Sequence, residues 1–170
     1  AAANIAHMLP GIEDPEERAD LAAELTRVLE ENVRPREKEL AAYLLLAIGR
    51  LGEPGGLEAI LAHADSEHEL VRQHVVRAVL AWPDRAEATE AKNVLLELLE
   101  DSSPSVRAEA AAALGRLADT TDDAVRAALA NAMTTAGSEA REAAWNAAVA
   151  LARLGDERGA TVVAELLLDR

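Results

Sequence analysis

Apolar residues along this chain recur at three- and four-residue spacing, in blocks separated by short polar phrases. Val106, Ala110, Ala113, Leu114 and Leu117 fall on one side of a helix. Leu40, Leu44, Ala47, Ile48 and Leu51 repeat that stripe, and so do Ala143, Ala147, Ala150, Leu151 and Leu154. Four related phrases punctuate the chain: Leu51-Gly52-Glu53, Trp82-Pro83-Asp84, Leu117-Ala118-Asp119 and Leu154-Gly155-Asp156. From Glu53 to Asp84, Asp119 and Asp156 the intervals are 31, 35 and 37 residues.

A second helix follows each phrase. Glu53-Pro54 leads into Leu57, Ile60 and Leu61, with proline early in the helix, where its missing N–H costs nothing. Asp119 to Asp123 offers capping side chains to a helix carrying Val125, Leu129 and Met133. Val163, Leu166 and Leu167 form the last stripe. Near the front, Asp14-Pro15-Glu16-Glu17 combines a cap, a proline and acids at the positive end of the helix dipole, ahead of Leu21, Leu25 and Leu29. Ala1 to Leu9 reads as the tail of an earlier first helix. The pattern predicts about ten helices in five antiparallel pairs, with approximate repeats 1–33, 36–65, 67–101, 103–135 and 137–170. No pair carries enough large apolar surface to stand alone, so the pairs must stack into a single all-α solenoid.

The stretch Val106-Arg107-Ala108-Glu109-Ala110-Ala111-Ala112-Ala113-Leu114-Gly115-Arg116-Leu117-Ala118-Asp119 resembles the HEAT repeat in its short, phycobilisome-lyase-like variety. Leu154-Gly155-Asp156-Glu157-Arg158-Gly159-Ala160, followed by Val163, Leu166 and Leu167, resembles the second half of that repeat. The resemblance covers the chain well from about Arg36 and loosely before it. It implies an α-solenoid with first helices on a convex side and second helices lining a concave face; the repeat pattern, without a catalytic constellation, reads as a non-catalytic scaffold that binds a protein partner through a concave or acidic face. The family's Val-Arg pair matches at Val71-Arg72 and Val106-Arg107, 35 residues apart, whereas the aligned outer positions hold Leu40-Ala41 and Ala143-Ala144.

Composition narrows the functional classes. Alanine and leucine fill 64 of 170 positions, Phe is absent, and Tyr43, Trp82 and Trp145 are the only aromatics, so the chain favours closely packed helices over a β-sandwich. Acids outnumber bases 31 to 17, for a net charge of −14, which leaves no surplus for the basic stripe of a nucleic-acid binder. The excess concentrates at residues 1–33, with eight acids against two bases, and at 67–101, with eight against four. Such faces attract a basic protein partner or simply solvate the surface. The absence of cysteine excludes disulfides, thiolate ligands and cysteine nucleophiles, and fits a cytoplasmic compartment. The longest apolar run, Leu40 to Gly49, is half of a membrane span. Lysine occurs only at Lys38 and Lys92 against fifteen arginines, as codon bias in a GC-rich genome or a high-salt cytoplasm would each produce.

No catalytic, cofactor or metal constellation emerges. His63, His68 and His74 cluster with Asp65, Glu67 and Glu69, but spacings of five and six put no two of them on one helical face. They read as solvated loop histidines. Gly52, Gly55 and Gly56 lack any phosphate-cradle pattern and read as an inter-helix turn. Serines 66, 102, 103, 105 and 138 fall at helix starts and read as caps. The alternative to a non-catalytic scaffold is an enzyme or subunit resembling a bilin lyase, which needs a tetrapyrrole pocket that three aromatics do little to furnish.

The two tryptophans differ. Trp82 aligns with Leu51, Leu117 and Leu154 and is expected in the core. Trp145 aligns with Ala42, Gln73 and Ala108, positions read as turned away from the stripe, and Val149 one turn on aligns with Leu46, Arg77 and Ala112. Trp145, Val149 and Leu46 are therefore the candidate protein contacts. An insertion before Ser138 also permits a three-residue shift that would turn Trp145 inward. The chain begins without methionine and stays apolar to its end, at Val162-Val163 and Leu166-Leu167-Leu168. It thus reads as a segment of a longer protein, its edge covered by further repeats, another domain or a second copy.

Overall fold

Asp14 opens the first described helix: its Oδ1 accepts from the Glu16 N–H at 3.0 Å, and Pro15 occupies the first turn. From there a computed structural model describes residues 12, 14–32, 37–135 and 141–168. The expected helix at Ala1 to Leu9 and the capping role of Ser138 lie outside the described residues. In chain order the helices are α1 (Pro15–Asn32), α2 (Lys38–Leu51), α3 (Gly56–Leu61), α4 (Glu69–Ala81), α5 (Arg85–Ala88), a 3₁₀ turn (Thr89–Ala91), α6 (Lys92–Leu98), α7 (Pro104–Leu117), α8 (Asp123–Thr135), α9 (Arg141–Arg153) and α10 (Glu157–Leu168). The described residues are all-α, as the apolar spacing predicts. The second helix of the third repeat is broken into α5, the 3₁₀ turn and α6, yet Ala88, Ala91, Leu95 and Leu98 keep a helical spacing and are all buried.

The chain forms two compact units, one ending at Ala88 and the other starting at Thr89. In the first, α2 packs on α1, α3 and α4. Leu45, Ile48 and Ile60 are fully buried there, and Trp82 is 6% exposed. The Trp82 indole N–H donates to Glu87 Oε2 at 2.9 Å, which satisfies its one polar atom. Gly49 makes the close approach of α2 to α4 possible: a Cβ there would lie 2.5 Å from the Ala78 carbonyl oxygen. At Gly52, φ of +64° closes α2, where its N–H reaches the Ile48 carbonyl at 3.1 Å.

In the second unit, α9 packs on α7, α8 and α10, and α6 packs on α7. The stripe residues Val106, Ala110, Ala113 and Leu114 of α7 are fully buried, as are Ala147 and Leu151 of α9. Ser103 caps α7 by accepting the Val106 N–H at 3.4 Å, ahead of Pro104. The Val-Arg pair has a local duty. Arg72 donates to the Ser66 carbonyl at 2.6 Å, and Arg107, 35 residues on, donates to the Asp101 carbonyl at 2.6 Å. Each guanidinium therefore braces the turn leading into its own helix, at equivalent repeat positions.

Candidate protein-contact face

Helix α9 seats on α7 through small residues and one polar anchor. A Cβ added at Gly115 would lie 2.5 Å from the Ala150 Cβ, so hydrogen at that position is what lets the two helices meet. Ala108 and Ala143 form a buried contact, at 2% and 3% exposure. Beside them the Asn146 amide donates to the Ala108 carbonyl at 2.9 Å across the helix pair. On the adjoining flank, α10 closes onto α9 through Gly159, where a Cβ would lie 2.4 Å from the Ala148 carbonyl oxygen.

The burial of Ala143, Ala147, Ala150, Leu151 and Leu154 retains the unshifted register, without the three-residue displacement. Trp145 then stands 37% exposed, with Val149 half-buried one turn along the same side of α9. One sequence-based expectation needs correction here. Ala42 and Ala108, the counterparts of Trp145, are not turned away but lie buried at 2%. On α7 that side receives α9. The same repeat position is thus a covered stacking surface on α7 and an accessible aromatic on α9. Leu46, the third expected contact, sits half-buried on α2 in the other unit, one turn before Gly49.

The remaining candidates are structural in their bonding. His74 is not a loop residue as expected: it sits on α4, 9% exposed, with Nδ1 2.8 Å from the Leu70 carbonyl. His63 Nδ1 lies 2.9 Å from the Ala59 carbonyl, and His68 is the cap residue of α4. No group of three metal-capable side chains converges among the described residues.

A groove of about 510 Å³ lies between α1 and the turn before α3, lined by Ala19, Ala22, Ala23, Pro54 and Gly55. On its rim Arg27 and Glu53 are paired, and Glu30 also lines it. Arg27 is bonded to Glu24 and Glu31, and Arg18 donates to Glu53 Oε1 at 2.9 Å. The groove therefore presents small apolar surface edged by two paired ions and Glu30.

Sequence reasoning missed a further regularity in the acids of the turns between the two helices of a repeat. In three of these turns an acid meets the charge of a base from the second helix of the preceding repeat. Arg18 of α1 reaches Glu53, and Lys92 of α6 reaches Asp122 at 2.9 Å, 30 residues away. The charge of Arg126 on α8 acts on Asp156. Asp122 was expected to cap α8, but its carboxylate accepts the Asp119 N–H at 2.8 Å and the Lys92 ammonium. Those bonds, the Asp119 N–H first, hold its pKa below the ordinary carboxylate value. Asp156 is held at about 2, chiefly by the hydrogen bond from Arg158. The spacing of acid and base across a repeat was the available signal.

The family model for HEAT repeats matches residues 92–170, which is the second unit apart from its first three residues. Comparison with curated proteins and with solved structures returned no match. No helix of the described residues is long and apolar enough to cross a membrane. Over the stretch where helix pairs recur and α9 stacks on α7, the family match supports a HEAT-repeat protein.

Proposed function

We propose that this chain is a non-catalytic scaffold of short HEAT-like repeats that binds a protein through the Trp145 side of α9. The single observation that carries this reading is the exposed Trp145, at a repeat position where α7 holds a buried alanine under the next helix. An indole offers a large rigid contact area at low entropic cost, and such residues dominate binding energy at interfaces. Val149 extends the apolar surface by one turn. The acid excess behind the net charge of −14 is concentrated at residues 1–33 and 67–101 and not on α9. The short, phycobilisome-lyase-like variety is the one that Val106 to Asp119 and Leu154 to Ala160 resemble.

Affinity capture with the 170-residue chain tests the face. Trp145→Ala is expected to lower partner recovery by at least about tenfold, the scale of an interfacial hot spot. Tyr43→Ala, at the 40% exposed tyrosine of α2, should leave recovery unchanged. Equal recovery with wild type and Trp145→Ala would remove α9 as the binding face.

A further inference from the structure

We infer that the protein bound on the Trp145 side of α9 is a second copy of this chain, docked antiparallel across a two-fold axis. The inference rests on the scaffold reading above and names its partner. Along α9 the exposed side runs Glu142, Trp145, Val149, Arg153, with Ala152 at its edge, and 3.6 residues per turn keep these on one stripe. Glu142 and Arg153 are exposed at the two ends, of opposite charge, and neither forms an ion pair among the described residues. Such a stripe complements itself. With two α9 helices antiparallel and centred near Ala147, Trp145 of each copy falls opposite Val149 of the other. Glu142 of each falls opposite Arg153 of the other, so the contact is made twice, as an isologous interface requires.

The repeat position itself argues against a further helix pair packed as α9 packs on α7. That packing needs Ala108 and Gly115, with the Gly115 Cβ position only 2.5 Å from the Ala150 Cβ. Trp145 stands where Ala108 stands one repeat earlier, and an indole holds a neighbouring helix further off. A second α9 meets this wider spacing by setting a large residue against a smaller one on both sides of the axis. A contact built on one helix per chain lies at the small end of interface sizes, so the association is expected in the micromolar range, about 1–100 µM.

Sedimentation equilibrium of the 170-residue chain across that concentration range should show the mass rising toward twice the 18.0 kDa of one chain. Trp145→Ala should raise the dissociation constant by about tenfold or more. Glu142→Arg alone, or Arg153→Glu alone, sets like charges against each other at both ends and should weaken the dimer by about tenfold. The double variant Glu142→Arg/Arg153→Glu restores opposite charges across the axis, and should return the constant to within about threefold of wild type. Both positions are exposed, so circular dichroism should show folded protein throughout. A wild type that stays at 18.0 kDa overturns the second copy as partner, while Trp145-dependent capture of another protein would preserve the scaffold reading. A dimer indifferent to Trp145→Ala and to both charge reversals overturns the placement on α9. Weakening by both single reversals without rescue by the double overturns the antiparallel register.

Discussion

Helices α7 and α9 hold the same place in successive repeats, yet the side that receives the next helix is built differently on each. On α7 it carries Ala108 and Gly115, buried under Ala143, Ala150 and the Asn146 amide. On α9 the corresponding side carries Trp145 and Val149 and is accessible. Their core stripes, by contrast, are interchangeable: Val106, Ala110 and Leu114 on one match Ala143, Ala147 and Leu151 on the other, all buried. The difference separates two demands on a repeat helix. Burying a stripe within its pair needs only apolar residues at helical spacing. Stacking on the next repeat needs small ones, because close helix approach leaves no room for a side chain.

Exchanging residues between the two helices tests this most severely. Ala108→Trp would place the residue of α9 under the docked helix, and overpacking there should cost upwards of about 3 kcal/mol. The reverse change, Trp145→Ala, removes a partly exposed side chain and should cost about 1–2 kcal/mol. Urea denaturation of both variants measures the gap, and equal losses would show that the two faces are not distinct. Asn146→Ala should cost about 1 kcal/mol by deleting a side-chain hydrogen bond between α9 and α7. A denaturation midpoint equal to wild type would mean that apolar stacking alone seats the helix.

The smallest effect concerns acid. Asp156, with a pKa held at about 2 against an ordinary 3.8, stabilises the fold fully above its unfolded value. That contribution fades as pH falls through 3.8 toward 2. Asp156→Asn should therefore be less stable than wild type at pH 5, and the two melting temperatures should converge near pH 2. A constant difference across that range would mean that the Arg158 and Arg126 charges do not act on this carboxylate.

Much of the fold was legible in the order of residues. Trp82, aligned with leucines at the ends of other stripes, is buried as the alignment requires, and the Asp14-Pro15 signal marks the start of α1. The position of α9 was legible too, although an insertion left two registers open until burial of Ala143 and Leu151 selected one. Ala42 and Ala108 were misplaced for a physical reason. An alanine beside the apolar stripe has the same sequence signature whether it faces water or a neighbouring backbone. His74 was misread because its buried position depends on the packing of α4, which a cluster of polar neighbours obscures. The bond from Lys92 to Asp122 joins residues 30 apart, so it shows in the spacing across a repeat and not in the local pattern of either helix.

By itself, then, the sequence determined the secondary structure, the repeat spacing and the residues buried within each pair, because helical periodicity and turn chemistry are local. Tertiary structure alone decided which sides of α2 and α7 are covered, where the turn acids find their cations, and that Trp145 remains accessible. Those outcomes depend on one repeat meeting the next at close range, and contact between distant segments is created only when the helices stack.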